Sequence, residues 1–306
     1  MEYYNNISEM IGNTPLLKIS HMELPANVNL YAKLEMYNPL GSVKDRIGSY
    51  LIEDAVNSGR LKPGGTILLA TAGNTGIGTA LAALNRGYHV IVVVPDKFSQ
   101  EKQSIMRALG AEIINTSRAD GMLGAERKAE ELGQTIPGSA IINQFASEGN
   151  PRAHYETTGP EIYRQLDGQI DYLVAGAGSG GTFSGVLKFL KEKDPNIKGV
   201  LADPYGSILG GGEHADYDIE GIGNDFIADT MNIDYVDEVV KVTDDEAFTT
   251  ARLLAVKEGV IGGSSTGAAL AASLKFAQTL KDKDKSYNIV AIFPDSGERY
   301  YSKNLF

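Results

Sequence analysis

Lys44 lies where a turn gives way to a helix, in the run Asn38-Pro-Leu-Gly-Ser-Val-Lys-Asp-Arg46. Asn38, Pro39 and Gly41 are turn residues, each for its own backbone reason. Ile47, Leu51 and Ala55 then recur at helical spacing, and Gly59 sits where a helix would stop. Lys44 is therefore expected in the first turn of that helix. A helix N-terminus is partly positive, so an ammonium is disfavoured there and a neutral amine favoured. A neutral lysine amine can add to a carbonyl and form a Schiff base. The plainer alternative is a solvated Lys44 paired with Asp45 or Glu53.

Three glycine-bearing turns could carry ligand groups. Gly176-Ala-Gly-Ser-Gly-Gly-Thr182 stands between a strand and a helix, where backbone N–H groups and the helix dipole favour an anion. Gly176, Gly178 and Gly181 have the spacing of a dinucleotide fingerprint, with Asp203 ending the next strand as a ribose acid would. The hydroxyls of Ser179 and Thr182 suit a single phosphate monoester better than a pyrophosphate. Thr71-Ala-Gly-Asn-Thr-Gly76 offers a helix start, two hydroxyls and an amide, which suits a carboxylate. It also reads as a plain capped turn with Thr75 as the cap. In Gly262-Gly-Ser-Ser-Thr-Gly267 a serine could cap the following helix or donate to a ring nitrogen. A fourth segment, Pro294-Asp-Ser-Gly-Glu-Arg-Tyr300, sets polar residues at the end of a buried strand.

These turns need a scaffold, and the rest of the sequence supplies one. Apolar runs at Thr66–Ala70, His89–Pro95, Ala111–Asn115, Ala140–Asn143, Ile170–Ala175, Lys198–Asp203 and Asn288–Phe293 read as strands. Helices are expected over 75–86, 99–109, 125–133, 183–193, 244–259 and 266–281. Asn29–Glu35 reads as a strand, Ile11–Ile19 as a turn closing in an extended run, and 206–230 as a long irregular loop. Strands alternating with helices, apolar along their whole length, imply parallel sheets covered on both faces. The expected fold is α/β with two domains, each a mostly parallel twisted sheet covered by helices. A smaller domain over 35–149, with 1–13 nearby, would carry the Thr71 turn. A larger one over 150–306, joined by 14–34, would carry the Gly178 loop.

Composition narrows the function classes. The 306 residues are 42% hydrophobic and 22% charged with a net charge of -11, so no basic stripe recommends nucleic acid. No apolar run reaches the roughly 20 residues of a membrane span. Cysteine is absent, which excludes disulfides, thiolate metal sites and a cysteine nucleophile. His21, His89, His154 and His214 have no metal-ligand spacing, so no metal is expected. The first residues lack the features of a signal peptide, and a cytoplasmic location is expected.

Gly41-Ser-Val-Lys-Asp-Arg46, Gly73-Asn-Thr-Gly76 and Gly178-Ser-Gly-Gly-Thr182, in this order, resemble the cysteine synthase / cystathionine β-synthase family of pyridoxal-phosphate (PLP) enzymes, fold type II. The resemblance runs from Ile11-Gly-Asn-Thr-Pro15 to Ser296-Gly-Glu-Arg-Tyr300. It implies PLP in the cleft between the domains, bound covalently through Lys44. It also implies that Gly178, Ser179, Gly180, Gly181 and Thr182 hold the phosphate, Asn74 the phenolic oxygen and Ser264 the pyridine nitrogen. Thr71, Ala72, Asn74, Thr75 and Gln144 would hold the substrate carboxylate. Lys44 would then remove the α-proton. The implied reaction is β-replacement on O-acetylserine, serine or cysteine through an α-aminoacrylate, with homocysteine, cysteine, sulfide or water as nucleophile. Two departures stand out. Ala72 replaces the family's usual serine. Asp225, in Glu220-Gly-Ile-Gly-Asn-Asp-Phe-Ile227, resembles the acid-bearing cystathionine synthases, and it would repel bisulfide or act as a base. The length suggests neither a haem-binding extension nor regulatory domains. The family implies a homodimer and a serine acetyltransferase partner. Competing readings are a cysteine lyase releasing hydrogen sulfide, an NAD-dependent oxidoreductase using the Gly176 loop, and a non-catalytic binding protein.

Overall fold

The computed structural model describes residue 1, residues 3–96 and residues 98–306. In chain order its regular elements begin with β1 (Leu16–Ile19), β2 (Val28–Leu34), α1 (Asp45–Asn57), β3 (Thr66–Ala70), α2 (Asn74–Ala83) and β4 (His89–Pro95). α3 (Gln100–Ala108), β5 (Glu112–Thr116), α4 (Gly121–Thr135), β6 (Ser139–Ile141), α5 (Gly149–Ala153) and α6 (Gly159–Gln165) follow. The chain continues through β7 (Tyr172–Gly176), α7 (Gly181–Lys193), β8 (Lys198–Pro204), β9 (Glu238–Val242), α8 (Asp244–Glu258), α9 (Ser264–Ala277) and β10 (Tyr287–Phe293). Two compact units share these elements, one made of residues 1–11 and 44–150, the other of 12–43 and 151–306.

The smaller unit is built on a four-stranded parallel sheet in the order β5-β4-β3-β6. Ile67, Leu68, Leu69 and Val92 to Val94 are essentially unexposed, as strands with both faces covered must be. Helices α1 and α2 cross at glycines. A Cβ on Gly48 would lie 2.1 Å from Gly78 O, and one on Gly78 would lie 2.2 Å from Lys44 O. Only hydrogen fits at either position, so the two backbones touch.

The larger unit has a six-stranded sheet in the order β1-β2-β10-β7-β8-β9, antiparallel only between β1 and β2. Leu30, Ala32, Val174, Val200, Ile289, Ala291 and Phe293 fill its core together with Ala268 to Ala272 of α9. α9 is apolar nearly all round and is buried accordingly. α8 starts at a capping box between Thr243 and Glu246 and stops at Gly259, whose φ of 71° is left-handed. Residues 35–43 fall with this unit because Val43 N–H donates to Pro294 O at 2.8 Å and Ser42 bridges Asp295.

Several element boundaries differ from the sequence expectation. α2 begins at Asn74 and ends at Ala83, three residues before Arg86, because Leu84 turns extended and Asn85 takes a φ of 58°. α4 begins at Gly121 and α9 at Ser264, each earlier than the apolar spacing suggests. β9 carries no sequence signal, since as an edge strand it exposes Glu238 and Val239. The helical run from 149 to 165 is likewise unexpected. It contains a π-helical turn, His154–Thr158, and Pro160 opens α6.

Candidate active site

Both sheets reverse direction at a strand whose following loop bears a motif. In the larger unit β8 and β9 lie on one side of β7 and β10 on the other, so β7 and β10 flank the switch point. In the smaller unit β4 and β5 lie on one side of β3 and β6 on the other. Ligands of open parallel sheets bind outside the carboxyl ends of strands at such points. The segments there are 177–182 and 294–300 in the larger unit, and 71–76 and 142–147 in the smaller.

The loop between β7 and α7 is oriented by its carbonyls. Ala177 O accepts Gly223 N–H at 2.7 Å, Gly178 O accepts Asn224 Nδ2 at 2.6 Å, and Ser179 O accepts the Thr230 hydroxyl. A trans peptide points its N–H opposite its C=O. The N–H groups of Gly178, Ser179 and Gly180 therefore turn away from the 223–230 segment, as in an anion-binding nest. Gly180 has a φ of 80°, and a Cβ there would lie 2.5 Å from Met231 Cβ. Thr182, in the first turn of α7, is held from behind by His154, whose Nε2 lies 3.1 Å from the Thr182 Oγ1. His154 Nδ1 lies 2.9 Å from Thr158 Oγ1, and the ring is fully buried. In sequence His154 is one of four histidines without metal-ligand spacing. Its role follows from the π-helical turn, which leaves no periodic mark.

Ser264 is the first residue of α9 and only 2% exposed. It does not cap the helix; its Oγ accepts the Glu220 N–H at 2.9 Å. Having accepted that N–H, the hydroxyl has its own hydrogen left to donate elsewhere.

In the smaller unit, Lys44 is half-buried at the N-cap of α1, one residue before the first turn. The Gly78 contact fixes its backbone against α2, the helix that begins with Asn74 and Thr75. Gly73, not Thr75, is the N-cap of α2; its N–H reaches Thr71 Oγ1 at 3.3 Å. The buried Thr75 hydroxyl donates to Gln144 Oε1 at 2.6 Å, joining the segments that leave the parallel neighbours β3 and β6. Asn150 Nδ2 in turn holds Gln144 O at 2.8 Å. Ala72 is half-buried between these groups.

Asp225 is exposed on the irregular segment between β8 and β9, and it accepts no hydrogen bond from the described residues. Its charge acts on Tyr217, a residue that no motif in the sequence marks. Burial pushes the Tyr217 phenol up to about 12, and the carboxylates of Asp203, Asp225 and Asp244 add to the effect. At neutral pH Tyr217 is therefore a hydrogen donor in an acidic setting. The dinucleotide reading fares poorly, because Asp203 is 1% exposed and held by Lys241 Nζ at 2.6 Å and Gly210 N–H at 2.8 Å. No cluster of His, Asp or Glu among the described residues could hold a metal ion, and no helix among them is long and apolar enough to cross a membrane.

Comparison with known proteins fits this geometry. The sequence pattern of the pyridoxal-phosphate dependent enzymes matches residues 7–295. The chain is 52% identical to an O-acetylserine dependent cystathionine β-synthase of Bacillus subtilis (strain 168), over 100% of this chain and 99% of that one. It is 46% identical to a cysteine synthase of Helicobacter pylori (strain J99), over 98% of each chain. The crystal structure of an O-acetylserine dependent cystathionine β-synthase from Helicobacter pylori superposes with a TM-score of 0.93 at 44% identity, covering both chains completely. Matched along nearly its whole length in sequence and in fold, the chain belongs to the fold type II pyridoxal-phosphate-dependent enzymes, among the cysteine synthases and cystathionine β-synthases.

Proposed function

We propose that the chain binds pyridoxal 5'-phosphate and catalyses β-replacement on O-acetylserine, serine or cysteine. The incoming group is a thiol (homocysteine, cysteine or sulfide) or water, and the product is cystathionine, cysteine or a related amino acid. The observation that carries the reading is the nest at 178–180, whose three N–H groups are aimed by three anchored carbonyls. With the Ser179 and Thr182 hydroxyls it has the donor set of a phosphate monoester. When bound, the cofactor supplies an electron sink for the bonds at the substrate α-carbon.

The chain's own residues do the rest. Lys44 would hold the cofactor through its carbonyl carbon, and its Nζ would serve as the base for the substrate α-proton. Thr71, Asn74 and the backbone N–H groups of Ala72 and Thr75 would receive the substrate carboxylate, since the Thr75 hydroxyl already donates to Gln144. Gln144 joins them with Nε2, because its Oε1 already accepts from Thr75. Asn74 would hold the phenolic oxygen, and the Ser264 hydroxyl would donate to the ring nitrogen. Gly181 opens α7, whose N-terminal dipole would favour the phosphate. A homodimer in the cytoplasm, with serine acetyltransferase as a partner, belongs to the same proposal.

Purified protein is expected to carry a visible absorption band that borohydride reduction fixes onto the Lys44 peptide. Its absence from protein incubated with the cofactor would reject the reading. Thr182→Ala removes one charge-assisted donor, worth about 1.5–3 kcal/mol. The cofactor dissociation constant, measured by titrating the cofactor-free protein, is expected to rise by about 10- to 150-fold. An unchanged constant would remove Thr182 from the phosphate site.

Asp225 bears on the choice of nucleophile. A carboxylate disfavours an approaching anion by about 1 kcal/mol at 4 Å in water, and several-fold more in a drier site. The same field attracts the ammonium of an amino-acid thiol. Asp225→Asn is expected to slow product formation with homocysteine, cysteine or water, while the rate with sulfide holds or rises. Product analysis for each donor and acceptor pair makes the comparison. A variant matching the parent with all four nucleophiles makes Asp225 a loop residue with no part in selection.

A further inference from the structure

The segment Pro294-Asp-Ser-Gly297 leaves the carboxyl end of β10 and keeps pairing on both sides. On one side Pro294 O accepts Val43 N–H at 2.8 Å, Ser296 N–H reaches Gly41 O at 3.3 Å, and Asp295 bridges Ser42. On the other, Asp295 O accepts Gly263 N–H at 3.1 Å, Gly297 N–H donates to Ile261 O at 2.9 Å, and Ser296 bridges Gly262. The four residues are thus the middle strand of a small three-stranded patch. One flank ends at Val43, the residue before Lys44. The other ends at Gly263, the residue before Ser264.

Two side chains lock this strand. Asp295 is 1% exposed and Tyr300 3%, and the Tyr300 hydroxyl donates to Asp295 Oδ2 at 2.8 Å. Ala251 and Leu305 pack on the Tyr300 ring. A Cβ built on Gly263 would lie 2.3 Å from Asp295 Oδ1 and 2.6 Å from that ring, so the pair presses directly on the Gly263 backbone. Burial and the Asp295 charge hold the Tyr300 phenol well above its ordinary pKa, and it remains a donor across the working range.

We propose that Asp295 and Tyr300 are positioning residues that hold Pro294–Gly297 as the common strand between Val43 and Gly263, and so fix the backbone from which Lys44 and Ser264 project. The proposal rests on the roles given above to those two residues. A reacting group tolerates about half an ångström of error, and about 1 Å can cost on the order of a hundredfold in rate. A strand bonded on both sides, with a buried charge-assisted bond across its end, supplies that tolerance.

Tyr300→Phe deletes only the hydroxyl. In the full chain without added cofactor, the Val43, Gly263 and Gly297 amides are expected to exchange hydrogen about tenfold faster or more, with amides of α4 unchanged. With pyridoxal phosphate bound, the cofactor absorption maximum is expected to shift. The kcat for O-acetylserine should fall about tenfold or more while KM stays within about twofold. Asp295→Asn keeps the shape and one acceptor oxygen, and it is expected to show the same pattern at smaller size. Should Tyr300→Phe lose its far-UV circular dichroism, Asp295→Asn carries the same measurements. Exchange at Val43 and Gly263 equal to the parent overturns the clamp. Faster exchange with parental absorption and kcat overturns the positioning role. A parent protein that takes up no pyridoxal phosphate overturns the reading on which that role rests, while the exchange data still report separately on the clamp.

Discussion

Lys44→Ala is expected to lower turnover of O-acetylserine by about 10³-fold or more while leaving the fold intact. General acid–base catalysis by a placed side chain is worth about 10²–10⁴-fold, and here the same residue also attaches the cofactor. The fold should survive because the packing at this position is made by the backbone. It is the Lys44 carbonyl that meets Gly78, and alanine keeps it. Lys33, a buried lysine of β2, cannot take over. Its Nζ is fully buried and donates to Thr14 O at 2.7 Å, Glu161 Oε2 at 2.8 Å and Gln165 Oε1 at 2.9 Å. All three donors of that ammonium are occupied. Borohydride reduction of Lys44→Ala with bound cofactor should therefore label no peptide, whereas the parent is labelled at residue 44. Labelling of another lysine at parental yield, with turnover kept, would move the reactive amine away from Lys44.

The sequence made the scaffold legible where strands are buried on both faces. β3 and β4 match their apolar runs to the residue, and β10 gains only Tyr287, because a covered parallel strand needs a continuous apolar stretch. The glycine loop after β7 was legible because a turn between strand and helix restricts residue type, as the φ of Gly180 illustrates. Thr75 was legible in its turn and Gln144 by resemblance alone, and their hydrogen bond follows from the adjacency of β3 and β6. What the sequence concealed was long-range. Val43, Gly263 and Pro294–Gly297 pair across gaps of more than 200 residues for the first partner, and no local spacing announces it. His154 reaches Thr182 through a π-helical turn, which breaks the 3.6-residue period that marks helices. Tyr217 gains its donor character from burial beside three carboxylates in a loop whose path the sequence leaves open. The same holds for Gly48 and Gly78. In sequence they are unfavourable residues within helices, and only the crossing of α1 on α2 explains them.

Gly78→Ala is expected to destabilise the protein and to lower kcat together, although alanine is the better helix former. Replacing an interior helical glycine gains about 0.8–1.0 kcal/mol in intrinsic propensity. Against this, the new methyl would stand 2.2 Å from Lys44 O and 2.8 Å from Lys44 C. Both are backbone atoms, so no side-chain rotation relieves the contact, and α1 must move off α2 by roughly 1 Å to reach ordinary van der Waals distance. Overpacking of this kind costs about 1–3 kcal/mol and occasionally more, which exceeds the propensity gain. Lys44 is the N-cap of the displaced helix, so the same 1 Å should reduce kcat by about 100-fold. Gly48→Ala meets Gly78 O at 2.1 Å across the same crossing and should behave alike. Once one methyl has separated the helices, the second finds room. The double variant is therefore expected to lose less stability than the sum of the two single changes, a coupling that denaturant unfolding of the four proteins measures. Gly133→Ala in α4 is the control, because its Cβ would meet side-chain atoms rather than backbone, Ile141 at 3.3 Å and Leu68 at 3.7 Å. That variant should keep parental kcat and match or exceed parental stability. If Gly78→Ala does the same, the crossing of α1 on α2 does not set the position of Lys44.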